Sequence, residues 1–487
     1  MRSPTLFQML VLALALSACS ERRAVATIAF EDCRLPKLST AARCTTIEVP
    51  ENRDAPAGRR IRLFVAVLPA NTLSPKPDPL LIIAGGPGQS ASSLAVFASR
   101  LIEVRRTRDV ILVDQRGTGR SAPLDCKAFK LDEDPSQALD IDPLPRARLC
   151  LDELIARNVD VSQYTTAAWI ADLEAVRTAL GISRWNLWGG SYGTRVALEY
   201  VRRHGAQVRS MILDGVAPPS LRVSSGVWPT REEALFTLLD ACVANAACGR
   251  SHTSLRRTLD QLEEMLRGGR DVDLVDPRTG ERARLRLTFD AMLIGMQPLV
   301  YVPELSVMIP VILERAAAGD FAPLFASAQL VTGELAEQTS AALHYAVTCS
   351  EDAPRVTDED RAALKTLRSG VLAHKVLGVC DIWPKNTQSD EATKPVRSDA
   401  PALLLSGALD PVTPPRYAEE VATTLSNHRH VVAGGYGHIV SPHACGPRLI
   451  AAFVERAGFD TLPQSCIDYF TKSTRPPLWP DRLAPAT

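Results

Sequence analysis

The chain of 487 residues carries 55 basic and 55 acidic side chains, a formal net charge of zero, and 46% hydrophobic residues. This balance, with no run of basic residues, excludes a surface built for nucleic acid. The length exceeds one minimal domain, so an insertion or a second domain is expected.

At the start of the chain, Arg2, an apolar stretch over residues 6–16, and then Ser17-Ala18-Cys19 form a charged n-region, a short h-region and small residues before a cysteine. The pattern predicts a lipoprotein signal peptide over 1–18, a lipidated Cys19 as first mature residue, and a tether over 19–32; an ordinary secretory signal cut nearby is the alternative, and both mean export. Beyond this leader no apolar run reaches the ~20 residues of a membrane span. Setting Cys19 aside leaves ten of the eleven cysteines, in successive near neighbours: Cys33 with Cys44, Cys126 with Cys150, Cys242 with Cys248, Cys349 with Cys380, and Cys445 with Cys466. In an oxidising compartment that pattern favours disulfides, with the pairing suggested by proximity alone. No C-x-x-C is present, and His428-Arg429-His430 lacks companion ligands at a recognisable spacing, so no structural metal is expected.

Pro79-Leu80-Leu81-Ile82-Ile83-Ala84 is a short continuous apolar run, suited to a strand buried on both faces, and it ends in Gly85-Gly86-Pro87-Gly88, a loop that can turn backbone N–H groups toward a ligand. Asp109-Val110-Ile111-Leu112-Val113 is a second such strand, running into Asp114-Gln115-Arg116-Gly117-Thr118-Gly119-Arg120-Ser121. After the apolar run 185–188 come Gly189-Gly190-Ser191-Tyr192-Gly193 and a helical stretch, which read together as a strand, a sharp turn centred on serine, and a helix. This is a nucleophile elbow: the kink exposes the serine Oγ while the glycines remove side chains that would collide at the bend. A glycine-rich turn around a buried serine is the plain alternative.

Residues 215–397 separate this serine from the rest of the core. Helical periodicity recurs over 230–239, 254–266, 304–317 and 358–377, and Val272-Asp273-Leu274-Val275 with Ala283-Arg284-Leu285-Arg286-Leu287 suggests a small hairpin joined by residues 276–280. The segment reads as a mainly helical cap that encloses a site at the C-terminal edge of a parallel sheet. Residues 385–401, polar and proline-containing, read as the linker back.

Ala402-Leu403-Leu404-Leu405-Ser406-Gly407 is a further buried strand and delivers Asp410; His430-Val431-Val432-Ala433 leads through Gly434-Gly435-Tyr436-Gly437 to His438. Serine, then aspartate, then histidine, each just past a buried strand, is the chain order of an α/β-hydrolase triad. Of the four histidines after Asp410, His428 and His430 lie at the wrong end of a parallel strand, leaving His438, with His443 as runner-up. Asp214, at the end of the strand Ser210-Met211-Ile212-Leu213, is the alternative acid, although a strand-end aspartate more often caps the following turn.

Taken together, Gly85-Gly86-Pro87-Gly88, Asp114-Gln115-Arg116-Gly117-Thr118-Gly119-Arg120-Ser121, Gly189-Gly190-Ser191-Tyr192-Gly193 and Ser406-Gly407-Ala408-Leu409-Asp410-Pro411-Val412-Thr413-Pro414 resemble the proline iminopeptidase and tripeptidyl aminopeptidase group of α/β hydrolases, from about residue 45 to 469. One departure is Ala84, where the group often carries histidine before its Gly-Gly-Pro-Gly. The resemblance implies a mostly parallel central sheet with helices on both faces, divided into a first core part (33–214), the inserted cap (215–397), a second core part (398–475) and a tail (476–487). It implies catalysis by Ser191, His438 and Asp410 through an acyl-enzyme, with the amides of Gly86 and Tyr192 as the oxyanion hole.

An aminopeptidase of this kind must also hold the substrate's free α-ammonium, because an unpaired charge in an apolar pocket costs several kcal/mol. Glu351 and Asp352, after the apolar stretch 341–347 and beside Cys349, are the candidate anchors; the alternative is that they open a solvated loop. The expected partner is a peptide or small acyl substrate, with no cofactor, no metal and no nucleic acid, and membrane contact only through the N-terminal lipid. A lipid-anchored carboxylesterase would share the triad without the amine anchor, and a non-catalytic envelope binding protein would need none of it.

Overall fold

A computed structural model describes residues 28–129, 142–275, 280–327, 338–386 and 388–472. The leader, Cys19, most of the tether, most of the expected hairpin turn and the tail lie outside the described residues.

Three antiparallel strands open the fold: β1 (Glu31–Cys33), β2 (Ala42–Pro50) and β3 (Arg60–Leu68). The parallel core adds β4 (Leu80–Ile83), β5 (Val110–Val113), β6 (Trp185–Gly190) and β7 (Val208–Asp214). A two-stranded hairpin, β8 (Arg270–Val275) with β9 (Arg282–Leu287), stands apart in the insertion, and β10 (Ala402–Gly407) and β11 (His428–Ala433) complete the main sheet. Its order is β1-β2-β3-β5-β4-β6-β7-β10-β11, with the last six strands mutually parallel.

Helices cover both faces, so the central strands are buried on both sides and read as unbroken apolar runs rather than alternating ones. Alternation persists in space: Leu81, Ile83, Leu187 and Leu213 point into one hydrophobic cluster, and Leu80, Ile82, Trp188 and Ile212 into the other. Because the chain crosses over β4 on its way from β5 to β6, the loops after β4 and β6 diverge above a crevice at the C-terminal edge, where ligands bind in open parallel sheets. The pairings Ile83 with Gly189, Gly190 with Asp214, and Leu405 with Asp214 set the loops after β4, β6, β7 and β10 side by side.

The insertion consists of two parts with different packing. Leu235, Leu259, Leu285, Met292, Leu313 and Phe325 belong to a hydrophobic core of its own, helical except for the hairpin. The helix Ala341–Glu351 instead packs Leu343, Ala346 and Val347 into the first cluster of the main sheet, with Trp383 and the Cys349–Cys380 disulfide beside it. Just before this helix, residues 338–340 lie antiparallel to the loop after β4: Ser90 N donates to Gln338 O at 3.2 Å, Ser340 N to Gly88 O at 2.8 Å, and Gln89 sits opposite Thr339. Sulfurs pair as Cys33–Cys44, Cys126–Cys150, Cys242–Cys248, Cys349–Cys380 and Cys445–Cys466.

The Asp114–Ser121 segment is structural. The Asp114 carboxylate accepts Ser92 N (2.8 Å), Ser92 Oγ (3.0 Å) and Arg120 N (3.0 Å), while the fully buried Arg116 forks onto Asp172 at 2.6 and 2.7 Å. A buried guanidinium is tolerated because its donors are matched by that carboxylate and by the carbonyls of Glu51 and Gln163.

Candidate active site

Ser191 ends β6 and starts the helix Tyr192–His204 with φ 55° and ψ −124°, a backbone state costing a non-glycine residue about 1–3 kcal/mol. The neighbours make it affordable. A Cβ on Gly189 would stand 2.5 Å from Gly193 O, and one on Gly193 would stand 2.3 Å from Ile83 O, so only glycine lets strand and helix approach this closely. Ser191 N donates to Asp214 O at 2.9 Å, and Ser191 O accepts from Thr194 Oγ1 at 2.6 Å.

Asp410, buried three residues past β10, uses both carboxylate oxygens. Oδ1 accepts Val412 N and Thr413 N at 2.8 Å each; Oδ2 faces His438 Nδ1 at 2.8 Å and accepts Thr413 Oγ1 at 2.9 Å. His438 is placed from two further sides. Its N–H donates to Tyr301 O at 3.2 Å, and its ring meets the Tyr301 ring edge-on at 5.3 Å. A methyl on Gly215 would come within 3.1 Å of His438 Cε1, so the imidazole hangs over the turn after Asp214, the residue whose carbonyl holds Ser191.

Burial opposes a charged imidazole, but Asp410, with a further contribution from Asp214, outweighs it and His438 titrates above its ordinary 6.5. For Asp410, burial disfavours the charge, yet His438 and the two amides prevail and its pKa falls below the usual value. The pair therefore keeps its negative charge where the imidazolium needs it.

The rejected alternatives have other places. His443 packs its ring against Tyr436, tilted by 53° with centroids 5.5 Å apart. The Asp214 carboxylate accepts Val440 N at 2.9 and 3.1 Å and Ser441 N at 2.7 Å, so it ties down the loop that carries His438 from two residues behind. Its strand-end position suggests a turn cap or an alternative acid; nothing along the chain signals a bond to residues more than 220 positions later.

Gly86, at φ 102°, lies in the loop facing the elbow, where a Cβ on Gly85 would sit 3.0 Å from Ser191 Cβ. Tyr192 opens its helix, and amides of a first helical turn have no carbonyl four residues back within the helix. Both candidate oxyanion donors thus flank Ser191. The Tyr192 side chain is buried, its hydroxyl 2.7 Å from Thr166 Oγ1.

Glu351 and Asp352 form no solvated loop. Glu351 is buried and accepts Thr166 N at 2.7 Å and Thr166 Oγ1 at 2.8 Å, and burial pushes its pKa up to about 7. Asp352 Oδ1 accepts Arg195 at 3.0 Å and Arg355 at 2.8 Å. These carboxylates are engaged within the fold, Glu351 one hydroxyl away from Tyr192. A cleft of about 530 Å³, counting space open to solvent, lies elsewhere: it runs between the cap and the acid loop, bordered by Trp228, Arg231, Glu232, Phe236, Tyr301 and Pro411. Glu232 Oε2 accepts Arg368 N at 2.9 Å. No motif marks Arg231, Glu232 or Tyr301 along the chain, since each sits in an ordinary helical run.

The family model described as alpha/beta hydrolase fold matches residues 78–270, and that described as TAP-like protein matches 367–466. The chain is 26% identical over 428 residues to the serine protease Hip1 of Mycobacterium tuberculosis, covering 80% of each. It is 32% identical over 221 residues to the tripeptidyl aminopeptidase of Streptomyces coelicolor, covering 41% of this chain and 40% of that one. The proline iminopeptidase structure from Mycobacterium smegmatis aligns at 16% identity and a TM-score of 0.42, over 85% of this chain and 98% of that one. The two family models match parts of both core segments, and the chain is similar to curated proteins named as a serine protease, a proline iminopeptidase and a tripeptidyl aminopeptidase, so it is an α/β-hydrolase-fold hydrolase of the peptidase type.

Proposed function

We propose that this serine hydrolase is an exported aminopeptidase that removes residues from free peptide N-termini. The observation that carries this reading is the Asp410–His438 contact, with the imidazole beside the turn after Asp214 whose carbonyl accepts Ser191 N, and a cap cleft that reaches Tyr301, the ring packed against His438, and has the carboxylate of Glu232 in its wall. Ser191 Oγ attacks the acyl carbon as His438 Nε2 takes its proton. Asp410 holds Nδ1 and stabilises the imidazolium, and the amides of Gly86 and Tyr192 receive the oxyanion. His438 then protonates the leaving amine, and water releases the acyl-enzyme by the same route.

Because Glu232 borders the cleft whereas Glu351 and Asp352 do not, the α-ammonium is assigned to Glu232, one of whose carboxylate oxygens accepts Arg368 N. Its location in a largely apolar cleft gives a charge pair there more value than at an open surface. Export through a leader over 1–18 and lipidation at Cys19 complete the proposal, supported by five disulfides that an oxidising compartment would preserve. The apolar walls of the cleft favour a second reading, a carboxylesterase.

The deciding measurement is kcat/KM on matched aminoacyl amides, their N-acetylated forms and short-chain esters. Acetylation is expected to lower kcat/KM roughly 30- to 1000-fold, the value of a charge-assisted hydrogen bond in a desolvated site, and Glu232→Gln to reproduce much of that loss on free amines alone. Equal rates on blocked and free substrates would replace the aminopeptidase with the esterase. An amine requirement untouched by Glu232→Gln would return the anchor to Glu351 or Asp352.

A further inference from the structure

Among the described residues, the cleft contains an arginine that no carboxylate pairs with. Arg231 lies one residue before Glu232 on the helix Val223–Ala244, stacked over the Trp228 ring at 5.1 Å, with Nη2 donating to Tyr301 Oη at 3.3 Å. Its Nε is buried and has no hydrogen-bond partner. Among the described residues no carboxylate comes within 4.0 Å of its guanidinium. The contrast within the same wall is direct: Arg368, also bordering the cleft, is paired with both Asp260 and Glu263.

An arginine left half-buried and unpaired is costly unless something completes it, since guanidinium donors in a partly dry site lose water without regaining bonds. Here the stacking on Trp228 and the Tyr301 contact fix the plane of the fork while leaving donors over. A planar fork with spare N–H groups matches one chemistry above others, a carboxylate bound through two oxygens. The position narrows the source. Tyr301 supports both Arg231, through its hydroxyl, and His438, through its carbonyl and ring edge. The cleft is closed on its other side by Pro411, next to Asp410. Whatever anion Arg231 binds therefore belongs to a molecule seated against the catalytic histidine. Arg231 is close enough for its charge to disfavour protonation of His438 and of His344, a buried residue whose own pKa is lowered mainly by burial.

We propose that Arg231 is a specificity determinant that binds a carboxylate of the substrate, so that the cleft reads an acidic group in the molecule being cleaved. The carboxylate has two possible sources in a peptide, an acidic side chain near the scissile bond or the free C-terminus of a short peptide. With the amine on Glu232, one peptide would place its two charges on adjacent residues of one helix. The inference rests on the peptidase reading for its choice of substrate, but the carboxylate requirement stands without it.

The test is a set of kcat/KM ratios in wild type, Arg231→Gln and Arg231→Lys, each variant first checked by thermal melt. One arm compares peptides with N-terminal glutamate and glutamine, a second compares short peptides as free acids and as C-terminal amides, and a third compares a hemisuccinate ester with its methyl-capped form. Wild type is expected to favour the carboxylate form in at least one arm by roughly 10- to 100-fold. The ratio should fall near one in Arg231→Gln and partly survive in Arg231→Lys, which keeps the charge but loses the fork. The arm that responds identifies the source. A carboxylate preference that appears only with the esters, and collapses in Arg231→Gln, would retain this site while removing the peptidase reading. To cover the case of no turnover, Ser191→Ala protein is titrated calorimetrically with the same free-acid and amide peptides, and the acid should bind more tightly in an Arg231-dependent way. No preference in any arm and no difference in binding, or a preference that persists in Arg231→Gln, overturns the proposal.

Discussion

At the scale of single residues, the site is a set of side chains whose charge states depend on one another. Ser191→Ala and His438→Ala should each lower kcat by about 10⁴- to 10⁶-fold with an unchanged circular dichroism spectrum, since nucleophile and base act as a unit. Asp410→Asn should cost about 10⁴-fold by stabilising the wrong imidazole tautomer. Because Asp410 holds the His438 pKa above its ordinary value, and only the neutral imidazole accepts the serine proton, the rising limb of kcat/KM with pH is expected above 6.5. A midpoint below 6.5 in the wild-type profile would contradict the electrostatics described. The candidate serine, aspartate and histidine are legible in the sequence because each closes a recognisable local pattern. Asp214 and Arg231 are not, because their partners come from elements far away in the chain. Glu351 stands out in the sequence by its charge beside Cys349, but its bonds to Thr166 are invisible until the helix Ala341–Glu351 is docked. That burial gives a testable linkage. With a folded pKa of about 7 against an ordinary 4.5, the native state holds this proton more tightly, so its contribution to stability is complete below pH 4.5 and is lost as pH climbs through 7. The loss should be on the order of 3 kcal/mol, and Glu351→Gln, which can accept from Thr166 N and donate to Thr166 Oγ1 at every pH, should remove it. Urea titrations of both proteins at pH 5 and pH 8 would show parallel changes if the assignment is mistaken.

At the scale of elements, β4, β5, β6, β7 and β10 were legible as apolar runs because a parallel sheet covered on both faces demands nothing else of its strands. The insertion was harder. The helix Ala341–Glu351 is apolar, as are Phe289–Tyr301 and Ile309–Ala317 in the same segment, and its composition does not say whether its partners are cap helices or the main sheet. Structure places it on the sheet, tied by Cys349–Cys380 across 31 residues. Closing a loop of that length is worth about 3.5 kcal/mol in a chain-entropy account. Replacing both cysteines with serine should therefore lower the unfolding free energy by roughly that amount. It should also reduce kcat, because Glu351, Thr166 and Tyr192 lose their fixed support beside the nucleophile. Full activity with a large loss of stability would separate the staple from the site.

At the scale of the whole molecule, the proposed leader and the ten paired cysteines make one expectation. Labelled fatty acid should attach to the exported protein and be lost with Cys19→Ala, and the mature chain should show no alkylatable thiol when denatured without reductant. Several reactive thiols in native exported protein would contradict it. The antiparallel contact between residues 338–340 and 88–90 has a consequence for how specificity could be moved between relatives. An exchange confined to residues 223–327 would carry Arg231, Glu232 and Tyr301 with it, yet leave in place the segment that braces the Gly86 loop. An exchange extending through 397 would replace that brace as well, and the hybrid would inherit a new cleft together with an unsupported Gly86 loop. The seam for grafting thus falls inside the insertion, not at its ends.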